Sequence, residues 1–261
     1  MDKRSSWQIQ KAVFFALFIR ELQTRFGRYR LGYFWALIEP LSHILVLSVL
    51  FSVIRERNIF FNVPFPLFFA TGVLSFFLFQ KLVLTSVNSI RVNMGLFGYR
   101  QVKPFDAIIV RCMLEAAVGI CTMLALAFIG GWIFNFQVIP ADPLGALLVL
   151  VILIIFGVGV GLVVAVIGGI SEELSQFVHS IMRPLYFLSG VFFPLEAIPE
   201  QFQHYLLWNP MLHGVEQFRI AFIEDYPSGN TSLYYVALWA IFSLFFGLIL
   251  YRNNAARVMT R

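Results

Sequence analysis

The chain has 261 residues, 59% of them hydrophobic and 13% charged, with a formal net charge of +5 and a mean hydropathy of +0.81. Soluble domains carry roughly 45–50% apolar and about 25% charged residues. A water-facing fold is therefore excluded, because its core could not hide this much apolar surface and lipid has to solvate part of it. Thirty Phe and five Trp suit lipid contact, tight helix packing or a stacking surface. Cys112 and Cys121 are nine positions apart in one apolar stretch. On a helix that is about 13 Å, beyond the roughly 7 Å that a disulfide bridges between Cα atoms, and two free buried thiols are expected.

Residues 1–30 form a basic arm with Lys3, Arg4, Lys11, Arg20, Arg25, Arg28 and Arg30. A secretory signal needs a short basic start, a single apolar stretch and a small-residue cleavage site. This arm runs on for thirty mixed residues instead and is read as retained. Its stretch 7–26 holds an eight-residue apolar block, 12–19, too short for about 30 Å of hydrocarbon. Apolar residues at helical spacing between basic flanks predict an amphipathic helix lying in the membrane interface.

The remainder, 31–261, reads as one all-α transmembrane domain with six spans. The first is 31–54, followed by the charged linker Arg55, Glu56, Arg57 and Asn58; the second runs from the PFP turn at Pro64–Pro66 to Val87. Residues 88–104 (NSIRVNMGLFGYRQVKP) break the apolar pattern before the third span, 105–134, and a short turn (FQVIPADP) leads to the fourth, 144–170. Residues 171–180 (SEELSQFVHS) predict a short polar helix, capped by Ser171 with Glu172 and Glu173 in its first turn. A fifth apolar segment at about 181–195, or 177–195 with its polar lead-in, is short for a span. Residues 196–226, rich in breakers (Pro199, Pro210, Gly214), predict re-entrant helices that dip into the membrane without crossing it, and the sixth span is 233–251.

With six spans both termini share a side. The arm, the 88–104 loop (Arg91, Arg100, Lys103) and the tail (Arg252, Arg257, Arg261) then lie together, while Asp142, Glu196, Glu200, Glu216, Glu224 and Asp225 collect opposite with Arg55, Arg57 and Arg219. By the positive-inside rule the cationic side is the cytoplasm.

The sequence contains no G-x-x-x-x-G-K-[ST] loop to cradle phosphates. The run GVGVG at 157–161 lies inside a span and reads as close helix packing. His43, His179, His204 and His213 are scattered, so no metal site is expected. Glu39 and His43 share a face of the first span at i, i+4: a structural polar pair, a polar contact in a conduit, or a proton relay. Arg111 and Glu115 repeat that spacing and predict an intrahelical ion pair. Tyr33, Phe34 and Trp35, with Phe76, Phe77 and Phe79, suit an interfacial belt or packing, and their rings could also stack on sugars. The two cytoplasmic breaks are loops or docking elements for a cytosolic partner.

The run TRFGRYRLGYFWALIEPL (24–41) and the stretch WNPMLHGVEQFRIAFIEDYP (208–227) resemble the membrane subunits of ABC-2 type exporters, in particular those that export capsular polysaccharide. O-antigen and teichoic-acid permeases share a looser form of the first run. The resemblance covers nearly the whole chain and implies an inner-membrane, multi-pass permease of the type V exporter kind with both termini cytoplasmic. It implies a homodimer bound to two copies of a separate ATP-binding cassette subunit, which holds ATP and Mg; the chain itself carries no cofactor, is no enzyme and has no nucleic-acid partner. The cargo would be a lipid-linked acidic polysaccharide, passed to a periplasmic adaptor and an outer-membrane exporter.

In that picture Arg25, Arg28 and Arg30 meet a phosphate or carboxylate of the cargo, or lipid headgroups. Tyr33, Phe34, Trp35, Glu39 and His43 are conduit candidates. Arg91, Met94, Leu96, Phe97, Tyr99 and Arg100, with Glu172, Glu173 and Leu174, couple to the ATPase. The alternatives are an ABC-2 exporter of another glycan, a lipid or a drug, and a proton-coupled carrier or membrane-embedded enzyme using Glu39 and His43.

Overall fold

The computed structural model of the chain describes residues 5–26, 32–54, 59–60, 63–99, 101–136, 138–227 and 229–259. Helices dominate: α1 (Ser6–Phe26), α2 (Gly32–Ile54), α3 (Phe65–Val87), α4 (Ser89–Val92), α5 (Pro104–Phe134), α6 (Pro143–Ile170), α7 (Glu172–Leu188), α8 (Glu200–Leu206), α9 (Pro210–Phe222) and α10 (Leu233–Met259). A two-rung antiparallel ribbon, β1 (Ile59–Phe60) with β2 (Val63–Pro64), pairs Ile59 with Pro64 and Phe60 with Val63.

Helix starts follow local chemistry. Prolines occupy the first turn of α3, α5, α6 and α9, where a missing N–H goes unnoticed and the fixed φ favours the helix. Asp142 accepts the Gly145 N–H at 3.0 Å to cap α6, and Asn209 accepts the Met211 N–H at 2.9 Å to cap α9. The Lys103 N–H donates to Asp106 Oδ2 at 3.0 Å at the start of α5. α5 ends on Asn135 in the left-handed region (φ 52°), a conformation that asparagine tolerates at a helix end.

Among the described residues, α3, α5, α6 and α10 are long and apolar enough to cross a bilayer, and α2 contributes a shorter apolar run, Phe34–Leu50. α3 is the central post. Of its apolar window 61% is buried, against 22% in α5 and in α10, so those two turn most of their surface outward. α6 lies between α3 and α10, and its glycine run sets how closely. A Cβ on Gly157 would meet Leu82 of α3, and one on Gly159 would fall 2.5 Å from the Leu244 backbone nitrogen of α10. On α10 the reciprocal position is Gly247, where a Cβ would stand 2.9 Å from the Gly159 carbonyl. Small residues thus bring the backbones into contact, as bilayer packing favours. Aromatic rings fill in around α3: Phe79 stacks on Phe156 of α6 with centroids 4.8 Å apart, and Phe76 meets Tyr186 of α7 at 5.1 Å.

Two expectations need correction. The polar stretch 171–180 and the first part of the fifth apolar segment are one helix, α7, continuous through Pro184. Its 17 residues reach about 25 Å, and Val178, Met182 and Tyr186 at i, i+4 and i+8 form its buried stripe. The rest of that segment leaves the α-helix: the chain turns at Gly190 (φ 68°), where the carbonyls of Gly190 and Val191 accept from the Arg219 side chain, and Leu195 opens a short 3₁₀ turn. The cysteines are free, but only Cys112 is buried, with Sγ 3.3 Å from Ser86 Oγ; Cys121 is exposed on the outer face of α5.

Candidate functional site

Polar side chains converge where α1 crosses α5. Gln10 Nε2 donates to Asp106 Oδ1 at 2.8 Å, and the Arg20 guanidinium donates to Asn93 Oδ1. Glu21 is 6% exposed; its Oε1 lies 3.1 Å from Arg111 Nε and accepts from Asn93 Nδ2 at 3.3 Å. Arg25 pairs with Glu115, which also accepts from Thr85 Oγ1 at 2.9 Å. The expected Arg111–Glu115 pair is therefore replaced: each residue turns from its helical neighbour to an opposite charge on α1, which offers a second helix to tie down rather than a contact one turn away.

Beside this seam lies a cavity of about 520 Å³ between α2, α3 and α5, lined among others by Arg25, Trp35, Glu39, Lys81 and Glu115. Lys81 Nζ donates to Glu39 Oε2 at 2.6 Å across it. Glu39 so joins α3 instead of His43, whose ring sits edge-on to Phe77 and Tyr186 at 5.5 and 5.7 Å. A second, apolar slot of about 190 Å³ continues along the same helices toward Phe134 and Phe218, sharing Leu74 with the first.

Of the sequence candidates, Arg25, Trp35 and Glu39 meet at this cavity, Phe34 is 61% exposed, and His43 stands against the aromatic rings. Arg28, Arg30 and Arg100 lie outside the described residues, as do the side chains of Tyr33 and Glu172. The two segments expected to couple to the ATPase meet through Ser175 Oγ, which donates to Asn88 Oδ1 at 3.4 Å, while Arg91 Nη2 donates to the Gly168 carbonyl of α6 at 3.3 Å. Met94 and Leu96 sit in a short 3₁₀ turn, Met94–Leu96. Phe97 packs on the core, whereas Tyr99, Glu173 and Leu174 are exposed.

Two features escaped the sequence. Lys81 was hidden in the second apolar stretch, and it stands i, i+4 from Phe77 on the cavity wall. Arg219 and Glu216, counted as outer-surface charges, are buried. Arg219 donates to the carbonyls of Gly190 at 2.7 Å and Val191 at 2.8 Å and to Glu216 Oε1 at 3.0 Å, and Tyr226 O–H donates to Glu216 Oε2 at 2.8 Å. Burial raises the Tyr226 phenol well above its ordinary range, with Arg219 opposing. The i, i+3 pairing of opposite charges among Val215, Phe218 and Ala221 was the available signal.

An all-helical body in which four of the described helices are long and apolar enough to cross a bilayer is the build of a multi-pass membrane protein. The profile of the ABC-2 type transporter family matches residues 12–223, and the chain belongs to that family. It is similar to the polysialic acid transport protein KpsM of Escherichia coli, 40% identical over 98% of this chain and 99% of the relative. It is also similar to the capsule polysaccharide export inner-membrane proteins CtrC of Neisseria meningitidis (33% identical, 92% of this chain, 90% of the relative) and BexB of Haemophilus influenzae (28%, 96% and 94%).

Proposed function

We infer that the chain is the membrane permease subunit of an ABC transporter that exports capsular polysaccharide across the inner membrane. The observation that carries this reading is its similarity, end to end, to transport proteins for a capsule glycan. A permease with no phosphate-cradling loop needs an engine. We assign it a homodimer with two copies of an ATP-binding cassette subunit, which would hold ATP and Mg. Segments 88–99 and 171–175, bonded through Asn88 and Ser175, are the proposed docking elements.

Six crossings, with α2 and α7 joining the four long helices, put both termini in the cytoplasm. The cargo is proposed to be a lipid-linked acidic glycan that continues through a periplasmic adaptor and an outer-membrane exporter. A proton-coupled carrier has less support, since Glu39 bonds to Lys81 while His43 sits among aromatic rings. The test is deletion of the gene in a capsulated host, with staining for surface capsule and for cytoplasmic polymer. Loss of the first and build-up of the second are expected; unchanged surface capsule would overturn the reading.

A further inference from the structure

The cavity beside α2 contains two cations and two carboxylates, Arg25 with Glu115 and Lys81 with Glu39. The two pairs are held very differently. Glu115 has a 6% exposed side chain and takes a second hydrogen bond from Thr85. Lys81 and Glu39 are 38% and 43% exposed, open to whatever enters. Their supports differ as well: α3, which carries Lys81, buries fourteen residues, whereas Pro40 and Ile44 are the buried residues of α2 among its described side chains. Lys81 is thus a cation on a fixed wall, and Glu39 is an anion on a lightly seated one.

An ammonium facing a membrane cavity needs a counter-charge, and a half-exposed ion pair is weak enough to be exchanged. The space around the pair fits an amphiphile. The ionic cavity shares Leu74 as a wall with the apolar slot lined by Ile44, Ala70, Met123 and Leu126. The ionic end lies beside the C-terminal end of α1, the helix read as lying in the lipid–water interface, which is the depth of a phospholipid headgroup.

We propose that Lys81 is a binding residue for the phosphate of an acidic bilayer phospholipid, that Glu39 is its built-in placeholder, and that the lipid's acyl chain enters the slot beyond Leu74. Exchange of the headgroup for the Glu39 carboxylate unties α2 from α3. This extends the permease reading by giving the cavity a lipid ligand. It is tested by binding, so its failure and a failure of the export assignment are read separately.

The experiment is native mass spectrometry of the delipidated transporter complex, titrated with phosphatidylglycerol and with phosphatidylcholine of the same chains. Wild type is expected to prefer phosphatidylglycerol. Glu39→Gln removes the competitor and should tighten phosphatidylglycerol binding about fivefold. Lys81→Gln should weaken it about tenfold, to the level of phosphatidylcholine, and Lys81→Arg should keep the preference. A merely structural ion pair would make Glu39→Gln and Lys81→Gln shift binding in the same direction, or not at all, and either result overturns the proposal. So does competition by a chain-free acidic oligosaccharide, oligogalacturonate, that matches phosphatidylglycerol. Should Lys81→Gln fail to assemble, Glu39→Gln and Lys81→Arg still decide: tighter binding in the first with the preference kept in the second supports the proposal, and loss of preference in both overturns it.

Discussion

The guanidinium carbon of Arg219 sits 3.8 Å from the centroid of the Phe68 ring, joining α9 to α3. The same guanidinium supplies donors to Gly190, Val191 and Glu216. One side chain thereby satisfies the turn after α7 and a buried carboxylate.

Arg219→Met should cost about 3–5 kcal/mol, because it leaves Glu216 buried without its counter-charge along with two unsatisfied carbonyls. Arg219→Lys should recover little of this, since an ammonium lacks the planar fork that serves several acceptors while stacking on a ring. Thermal unfolding of the purified transporter reads both. An unaltered midpoint for Arg219→Met would refute the clamp.

Glu21 and Arg111 form a pair between α1 and α5, with side chains 8% and 13% exposed. Glu21→Gln and Arg111→Gln should each loosen α1, seen as faster proteolysis of the arm. In a double-mutant cycle the two should couple by about 0.5–3 kcal/mol, and the exchange Glu21→Arg with Arg111→Glu should restore part of the loss. Strict additivity would mean that the pair does not hold the arm.

These pairs show where the sequence was legible. Apolar runs and proline or glycine breaks revealed the all-helical layout, because lipid leaves each backbone few options. The GVGVG packing was legible for the same reason. Charge partners were not. Spacing along one helix offered Arg111 to Glu115 and Glu39 to His43, yet Glu21, Arg25 and Lys81 won them from other helices, and rotation about each axis is set by packing that the sequence does not display. Arg219 looked like an outer-surface charge because hydropathy cannot tell a solvated cation from one enclosed by carbonyls and a ring.

For the docking segments, cysteines placed at Leu96 or Leu174 should trap the ATPase subunit by cross-linking. Leu174 is 44% exposed and should react more readily than the half-buried Leu96. Cys121, which is exposed, has to be replaced by Ser first. No adduct from either site in an intact complex would remove these segments from the interface.

His213 gives the packing of α9 a pH dependence. The Ser232 N–H donates to Nδ1 at 3.0 Å, so Nε2 carries the proton and donates to the Leu207 carbonyl at 2.8 Å. Burial lowers its pKa below the ordinary 6.5, with the Leu207 carbonyl opposing. The unfolded chain therefore takes up a proton that the folded chain refuses. Stability should be full above pH 6.5 and fall as pH drops below it. His213→Gln should flatten that part of a melting-temperature profile measured against pH; an identical slope in the variant would assign it elsewhere.

The backbone contact at Gly159 and Gly247, with Gly157 seated on Leu82, has a consequence for how a conduit could widen. Where main chains touch there is no layer of side chains to change rotamer, and sliding one helix past the next would drive backbone atoms together. α3, α6 and α10 therefore behave as one plank. Any widening is left to the pieces hung on it, α2 foremost, a helix held to the rest through the buried Pro40 and Ile44 among its described side chains.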